Sequence, residues 1–370
     1  MADESLRPQR KEWPMNLIKI FMLFVLLGAV LTLLSMRMTR YFGIQTMFYQ
    51  NVSLPCVERE MPNNLDHWIR PTDRLMHTMT DEELFWRATF VPRIRKYPYR
   101  RVPKVAFMFL TRGPLPLYPL WERFFQVPRG LYSIYIHSLP SYRVDFPPTS
   151  AFYGRQIPSK EAEWGQMSMC DAERRLLANA LLDLSNERFV LLSESCIPVH
   201  NFTTVYTHLM RSKHSFLGAF DDGGPYGRGR YNENMAPEVN ITQWRKGSQW
   251  FEVNRKLALA IVEDVMYYPK FQNFCKPHCY VDEHYFPTML SIKAPQLLAN
   301  RSITWVDWHR GGPHPATFGR GDISEEFLKG ILDGHTCQYN NQSSSICFLF
   351  ARKFAPNALE PLLELLAPTF

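Results

Sequence analysis

Val281-Asp282-Glu283-His284 puts two acidic side chains at the head of a helical run. A carboxylate aimed into a cleft can take the proton from an attacking hydroxyl as the new bond forms, without a covalent intermediate. The same pair suits a helix N-terminus, where negative charge meets unpaired N–H groups, so both roles stay open on residue type alone. Ser193-Glu194-Ser195-Cys196 offers one carboxylate after an apolar run. Asp221-Asp222 can hold a divalent cation on a diphosphate, or can form an ordinary turn before Gly223-Gly224. Arg352 and Lys353 are adjacent cations whose ordinary fate is a solvated surface. Lys246-Gly247-Ser248-Gln249-Trp250 reads as a turn at a cleft wall; Gly247 permits close backbone approach, and Trp250 suits a sugar platform or a core. Trp305 and Trp308 carry the same two readings, and Trp308-His-Arg-Gly-Gly-Pro-His-Pro suits a binding loop. Cys275-Lys-Pro-His-Cys279 with His284 can be read as zinc ligands, but its spacing favours a disulfide. Ser195 and Cys196 lack the Gly-x-Ser-x-Gly elbow of a hydrolytic nucleophile.

The elements that must position these residues follow from hydrophobic periodicity. Val105–Leu110 and Arg188–Leu192 are apolar runs of strand length, and Tyr132–His137 alternates like a strand. Leu117–Phe125 has helical spacing, and Ser168–Leu184 reads as an amphipathic helix with Leu177, Ala180, Leu181 and Leu184 on one face. Asn201–Arg211 is a capped helix and Ser215–Phe220 a further strand. Strands alternating with helices predict an α/β fold with a mostly parallel sheet covered on both faces. Ligands in such folds sit at the carboxyl ends of the strands. The segments 111–116, 137–143, 193–198 and 221–231 all follow predicted strands and should converge on one cleft.

Before this body lies a membrane signature. Residues 17–36 are mostly apolar, carry only Lys19, and span about 30 Å as a helix. The run exceeds the apolar core of a secretory signal, and no small-x-small cleavage site follows it. Arg7, Arg10, Lys11 and Lys19 outweigh Arg37 and Arg40, which points the short N-terminus to the cytosol. The glycosylation sequons at Asn51, Asn201, Asn240, Asn300 and Asn341 all lie downstream, although Asn201 also suits a helix N-cap. The expected organisation is a cytosolic tail over 1–16, a signal-anchor over 17–36, a proline-interrupted stem over 37–103 and a lumenal domain over 104–370. Within the stem, Asp81–Arg87 predicts one short helix. A net charge of +7 fits phosphate-bearing ligands, and no long basic run outside the anchor flank suggests nucleic acid. Seven cysteines leave at least one unpaired; Cys275–Cys279 and Cys337–Cys347 are close enough to bridge, and connectivity stays open.

Several stretches together resemble the core-2/I-branching β-1,6-N-acetylglucosaminyltransferases and xylosyltransferases of glycosyltransferase family 14, especially their plant branching-enzyme-like members. They are Phe189-Val-Leu-Leu-Ser-Glu-Ser-Cys-Ile-Pro, Lys246-Gly-Ser-Gln-Trp-Phe, Val281-Asp-Glu-His-Tyr-Phe-Pro-Thr, His314-Pro-Ala-Thr-Phe and Phe350-Ala-Arg-Lys-Phe. Their order and spacing cover about residues 104–365. The resemblance implies a GT-A-type, Rossmann-like lumenal domain and an inverting, metal-independent transfer of N-acetylglucosamine or a related sugar from a UDP-linked donor to a glycan hydroxyl. It implies that Glu283 is the base and that Lys353 contacts the diphosphate. The family's companion arginine falls close to Pro313 here, so Arg310 is the expected substitute and Arg320 the next. His137 falls at a nucleoside contact, but the acid two positions on is Leu139 in this chain. Ser193, Glu194, Gly247, Trp250, Asp282 and Trp308 are expected along the nucleotide and substrate path, and Arg228, Arg230 and Tyr231 in an acceptor loop. No metal or other cofactor is expected. The location implied is the Golgi membrane, single-pass type II. One alternative is a silent, membrane-tethered carbohydrate-binding protein on the same fold. Another is a lumenal hydrolase, which needs a second carboxylate facing Glu283.

Overall fold

The computed structural model describes residues 15–50, 65, 69, 74–91, 96–143, 145–275 and 279–366. Helix α1 (Met15–Gln50) is described by itself. Its segment Lys19–Met38 is long and apolar enough to cross a membrane. The helix continues beyond residue 36, where the apolar run was expected to end. Asn51 and Cys56 lie outside the described residues.

The body begins with α2 (Asp81–Ala88), whose Thr80 and Glu83 form a reciprocal capping box. It buries Leu84 and Ala88 against the core, so this part of the expected stem packs as part of the body. Then follow β1 (Lys104–Leu110), α3 (Tyr118–Phe124), β2 (Tyr132–His137), α4 (Met167–Leu181), β3 (Asn186–Ser193), β4 (Ile197–Pro198) and α5 (Phe202–Arg211). Next come β5 (Glu252–Asn254), α6 (Arg255–Val262), α7 (Tyr268–Phe274), α8 (Val281–Lys293) and β6 (Thr304–Val306). The described residues end with α9 (Glu325–Leu332), β7 (Cys337–Tyr339), β8 (Gln342–Ser344), β9 (Phe350–Arg352) and α10 (Leu359–Leu366).

The main sheet has the order β2-β1-β3-β5, with β2, β1 and β3 parallel and β5 antiparallel at the edge. Successive strand side chains face opposite ways, and β1 shows the consequence. Ala106, Met108 and Leu110 join the core under α4, α6 and α8, while Val105, Phe107 and Phe109 join a second core under α3 and α5. The second core is aromatic, with Phe107 edge-on to Trp121, Phe124 and Phe125. A smaller sheet, β4-β9-β6, carries Arg352 at the end of β9.

Two expectations are corrected. Helix α4 is buried almost all round rather than amphipathic, because α2, α6 and α8 cover the face turned from the sheet. That outer layer takes charged side chains. Arg175 is paired with Asp81 at 2.8 Å, and Arg174 lies over the rings of Phe85 and Tyr268. Ser215–Phe220 is no regular strand. It pairs residue by residue, Ser215 with Leu298, Phe216 with Glu252 and Phe220 with Lys246. Asn201 is the N-cap of α5, its side chain accepting from the Thr204 amide at 2.9 Å. Cys275–Cys279 and Cys337–Cys347 are disulfides, which ties up the sulfurs of the zinc alternative. Cys170 and Cys196 are buried thiols.

Strand β3 is locked to β5 by the buried pair Arg188–Glu252 at 3.1 Å. Arg188 also donates to the carbonyls of Ser212 and His214. Arg188→Ala strands a buried carboxylate and two carbonyl acceptors. It should cost about 3–5 kcal/mol in reversible urea unfolding, whereas Arg123→Ala at the exposed edge of α3 should cost little.

Candidate active site

A cleft of about 1030 Å³ opens where the main sheet ends. Thr111 and Arg112 follow β1, His137 ends β2 with Leu139 just beyond it, and Ser193 ends β3 with Glu194 just beyond it; all line it. This is the convergence expected at the carboxyl ends of parallel strands.

The acidic pair enters this cleft through a sharp turn. Tyr280 precedes α8 in a left-handed conformation, φ 54° and ψ 72°, which costs a non-glycine residue of order 1 kcal/mol. Its ring packs on Trp164 at 4.9 Å and under the Arg230 guanidinium at 4.3 Å, contacts that hold the strained turn. The turn sets Asp282 and Glu283 in the first helical turn, facing the cleft. Four residues on, Pro287 has no N–H to give the Glu283 carbonyl. The Gly247 amide donates to that carbonyl instead, at 2.8 Å. Thr288 adds a second tie, its hydroxyl accepting from the Arg245 amide at 3.0 Å. A Cβ on residue 247 would lie 2.0 Å from the Gly218 carbonyl oxygen and 2.8 Å from Pro287, so only glycine fits. Gly247 is thus required by backbone packing beside the site.

Glu283 is about one-quarter exposed; Arg230 Nη1 lies 3.6 Å and Lys246 Nζ 3.9 Å from its Oε2. Among the described residues no donor hydrogen-bonds its carboxylate. Burial raises its pKa, while Lys246 and Arg230 pull the other way. Asp282 is almost fully buried and its Oδ1 lacks a partner. Burial, then repulsion from Glu283, raises its pKa to about 7. Behind it, Glu173 on α4 is fully buried, with Gln249 Nε2 donating to Oε1 at 2.9 Å and Oε2 unpartnered. Burial and the neighbouring Asp282 push its pKa well up. Glu283 is thereby the one of the three carboxyls with cations beside it. His284 is neutral, its pKa lowered to about 4 by burial, and stacks on Trp244.

Lys353 lies on the cleft wall with Arg352 and Arg112. The Arg352 guanidinium sits over the Trp250 ring at 4.1 Å, so Trp250 is a platform for a cation. Burial lowers the Lys353 pKa, and repulsion by Arg352 and Arg112 adds to this, against the attraction of Glu194. Arg310 and Arg320, the expected companions of Lys353, are not among the cleft-lining residues. Arg310 is exposed on the 308–314 loop, and Arg320 pairs with Glu360 at the surface. The short β9 carries Arg352 to the cleft, whereas the glycine-rich loop carries Arg310 outward. Arg112 was missed because one arginine in a turn has no periodic signal; its signal was its place directly after a buried strand.

His137 lines the cleft as a neutral imidazole, its pKa lowered to about 3 by burial. Trp308 lines it half-exposed, while Trp305 packs on Phe318 in the core. Arg230 is in the cleft, but Arg228 points away and pairs with Asp221 at 2.7 Å, and Tyr231 donates to the Val239 carbonyl. Asp222 Oδ1 accepts from the Gly224 amide at 2.7 Å, the turn geometry anticipated for this pair. Asn240 also accepts from turn amides, and Asn300 from the Ala219 amide; Asn300 and Asn341 have left-handed backbones.

A covered, mostly parallel sheet whose strand ends open on a cleft with the Glu283 carboxylate and the grouped cations Lys353, Arg352 and Arg112 is the arrangement of an α/β enzyme with a site suited to an anionic ligand. The sequence model described as Core-2/I-Branching enzyme matches residues 105–332. A rice (Oryza sativa subsp. japonica) protein named Glycosyltransferase BC10 is 37% identical over 307 residues, covering 71% of this chain and 76% of that protein. The chain belongs to the core-2/I-branching family and is a glycosyltransferase.

Asp282 sets a pH dependence of stability. Its folded pKa lies above the unfolded value, so the folded state holds a proton that the unfolded chain releases. Stability should therefore fall as pH rises from about 4 to about 7, then level off, with Asp282 contributing up to about 4 kcal/mol of the fall. Thermal unfolding across that window should be flatter for Asp282→Asn than for the wild type.

Proposed function

We propose that this chain is a single-pass, type II Golgi membrane enzyme. It would transfer N-acetylglucosamine or a related sugar from a UDP-linked donor to a hydroxyl of a glycan acceptor. The observation that carries the reading is the joint presence, in one cleft, of the Glu283 carboxylate, held by no direct hydrogen bond among the described residues, and the Lys353, Arg352 and Arg112 cations. Glu283 takes the proton of the acceptor hydroxyl, whose oxygen bonds to the anomeric carbon as the bond to the diphosphate breaks. A single displacement inverts that carbon. The bond electrons leave on the diphosphate, and Lys353 with Arg352 stabilises them through charge-assisted hydrogen bonds. The mutual repulsion of these cations supports this role, since a bound diphosphate relieves it.

The reading needs no metal. Asp221 is neutralised by Arg228, and one oxygen of Asp222 is committed to its own turn, which leaves a poor carboxylate pair for a cation. The apolar helix α1 supports membrane anchorage, and the downstream sequons and N-side basic residues support a lumenal body. The resemblance to the core-2/I-branching enzymes supports Golgi residence.

Glu283→Gln should lower kcat about 10²–10⁴-fold with donor affinity nearly unchanged, as read by turnover and by UDP titration. Normal turnover in that variant would remove Glu283 from its role. Lys353→Ala should weaken UDP binding and lower kcat about 10²-fold or more, whereas Arg310→Ala should change neither. Activity should persist in excess EDTA, and strict dependence on added Mn²⁺ would overturn the metal-free mechanism.

A further inference from the structure

Helix α8 starts without a side-chain cap, and the residue before it, Tyr280, is left-handed. A non-glycine residue keeps such a conformation where its surroundings over-determine it. After Tyr280 the turn is closed by its own carbonyl, which accepts from the Glu283 amide and from His284 Nδ1, both at 3.0 Å. At Tyr280 the ring is held by Trp164 and Arg230. Before it, the amides of Cys279 and Tyr280 donate no hydrogen bond among the described residues. The tie on that side is covalent, the Cys275–Cys279 disulfide.

We propose that this disulfide is a positioning bond for the transfer reaction: it anchors the turn that aims Glu283 into the cleft. The proposal rests on the reading of Glu283 as the base and adds what holds that base in line. The two cysteines act through Tyr280 and the first turn of α8.

The anchoring end is rigid. Cys275 closes α7, its amide donating to the Phe271 carbonyl at 3.1 Å. Phe271 is buried, its ring stacked on Trp244 at 5.4 Å and 5.0 Å from that of Tyr285. At the other end of α7, the Asp264 carboxylate accepts from the amides of Tyr267 and Tyr268 and from the Tyr285 hydroxyl of α8. Cys279 is itself buried and directly precedes the left-handed residue. The sulfur bridge thus carries the fixed position of α7 across to the turn. Its cysteines are four apart in sequence, against ten for Cys337 and Cys347. Closing so short a loop removes less freedom from the unfolded chain, so the main consequence of the bond is local.

The test compares wild type, Cys275→Ser/Cys279→Ser and Cys337→Ser/Cys347→Ser, each as the full chain in detergent. In the first variant kcat, read as UDP release, should fall about 10–100-fold. UDP affinity should stay as in the wild type, because Lys353 lies outside the turn. Amide exchange should speed up at Gly247 and over 280–286. Cys337→Ser/Cys347→Ser should lower the melting temperature without changing kcat or that exchange. If the first variant folds poorly, the second serves as the background. Dithiothreitol then opens Cys275–Cys279 in the folded protein, its two thiols being oxidised to a disulfide as the bridge takes up two electrons and two protons. The kcat should fall as the bond opens, followed by alkylation of the freed thiols, and return on reoxidation. Unchanged exchange over 280–286, normal turnover without the bond, or equal losses of kcat and UDP affinity would overturn the role. Failure of the base reading appears instead in Glu283→Gln, which keeps both disulfides.

Discussion

The site depends on one missing hydrogen-bond donor. Pro287 lies within α8 and cannot satisfy the Glu283 carbonyl, so that carbonyl is open to another partner. Gly247 provides it, and the absence of a side chain lets its backbone come up against Gly218. The loop from Arg245 to Trp250 is thereby fastened to the helix at Glu283. Lys246 is held near the Glu283 carboxylate, Gln249 near Glu173, and Trp250 under Arg352. A helix interior proline costs about 3 kcal/mol in isolation, and here the exposed acceptor it creates is used to join two segments far apart in sequence.

Charge is distributed around that joint by burial. Asp282 and Glu173 are too deep to ionise readily and have no cation at hydrogen-bond distance. Glu283 is more exposed and has Arg230 and Lys246 close by. Neighbouring carboxyls on one helix turn are thus given different surroundings, Asp282 without a close cation and Glu283 between two. On the other wall the cations are grouped without a carboxylate hydrogen-bonded to Lys353, and this leaves positive potential where a diphosphate would sit.

Much of this arrangement was legible in the chain. The strands β1, β2 and β3 and the helices α3, α4 and α5 stand where periodicity placed them, because apolar spacing is a local property. The polar segments after those strands meet in one cleft, since parallel strands end on the same side. The less regular parts were not legible. Ser215–Phe220 has strand-like composition, yet its partners come from three separate segments and no ladder forms. Helix α4 has a polar-looking face because Arg174 and Arg175 are buried there by rings and by Asp81, contacts made 90 residues apart or nearly so.

By itself the amino-acid order determined an apolar N-terminal helix and an α/β body, and it singled out Glu283 and Lys353, which the fold brings to one cleft. These follow from residue type, local spacing and family motifs. Only the tertiary structure decided which cations accompany Lys353, since Arg112, Arg352 and Arg310 are equivalent as letters and differ in where their backbones lead. It also decided which carboxyl of Asp282 and Glu283 has cations beside it, because that depends on burial and on neighbours brought together from distant segments.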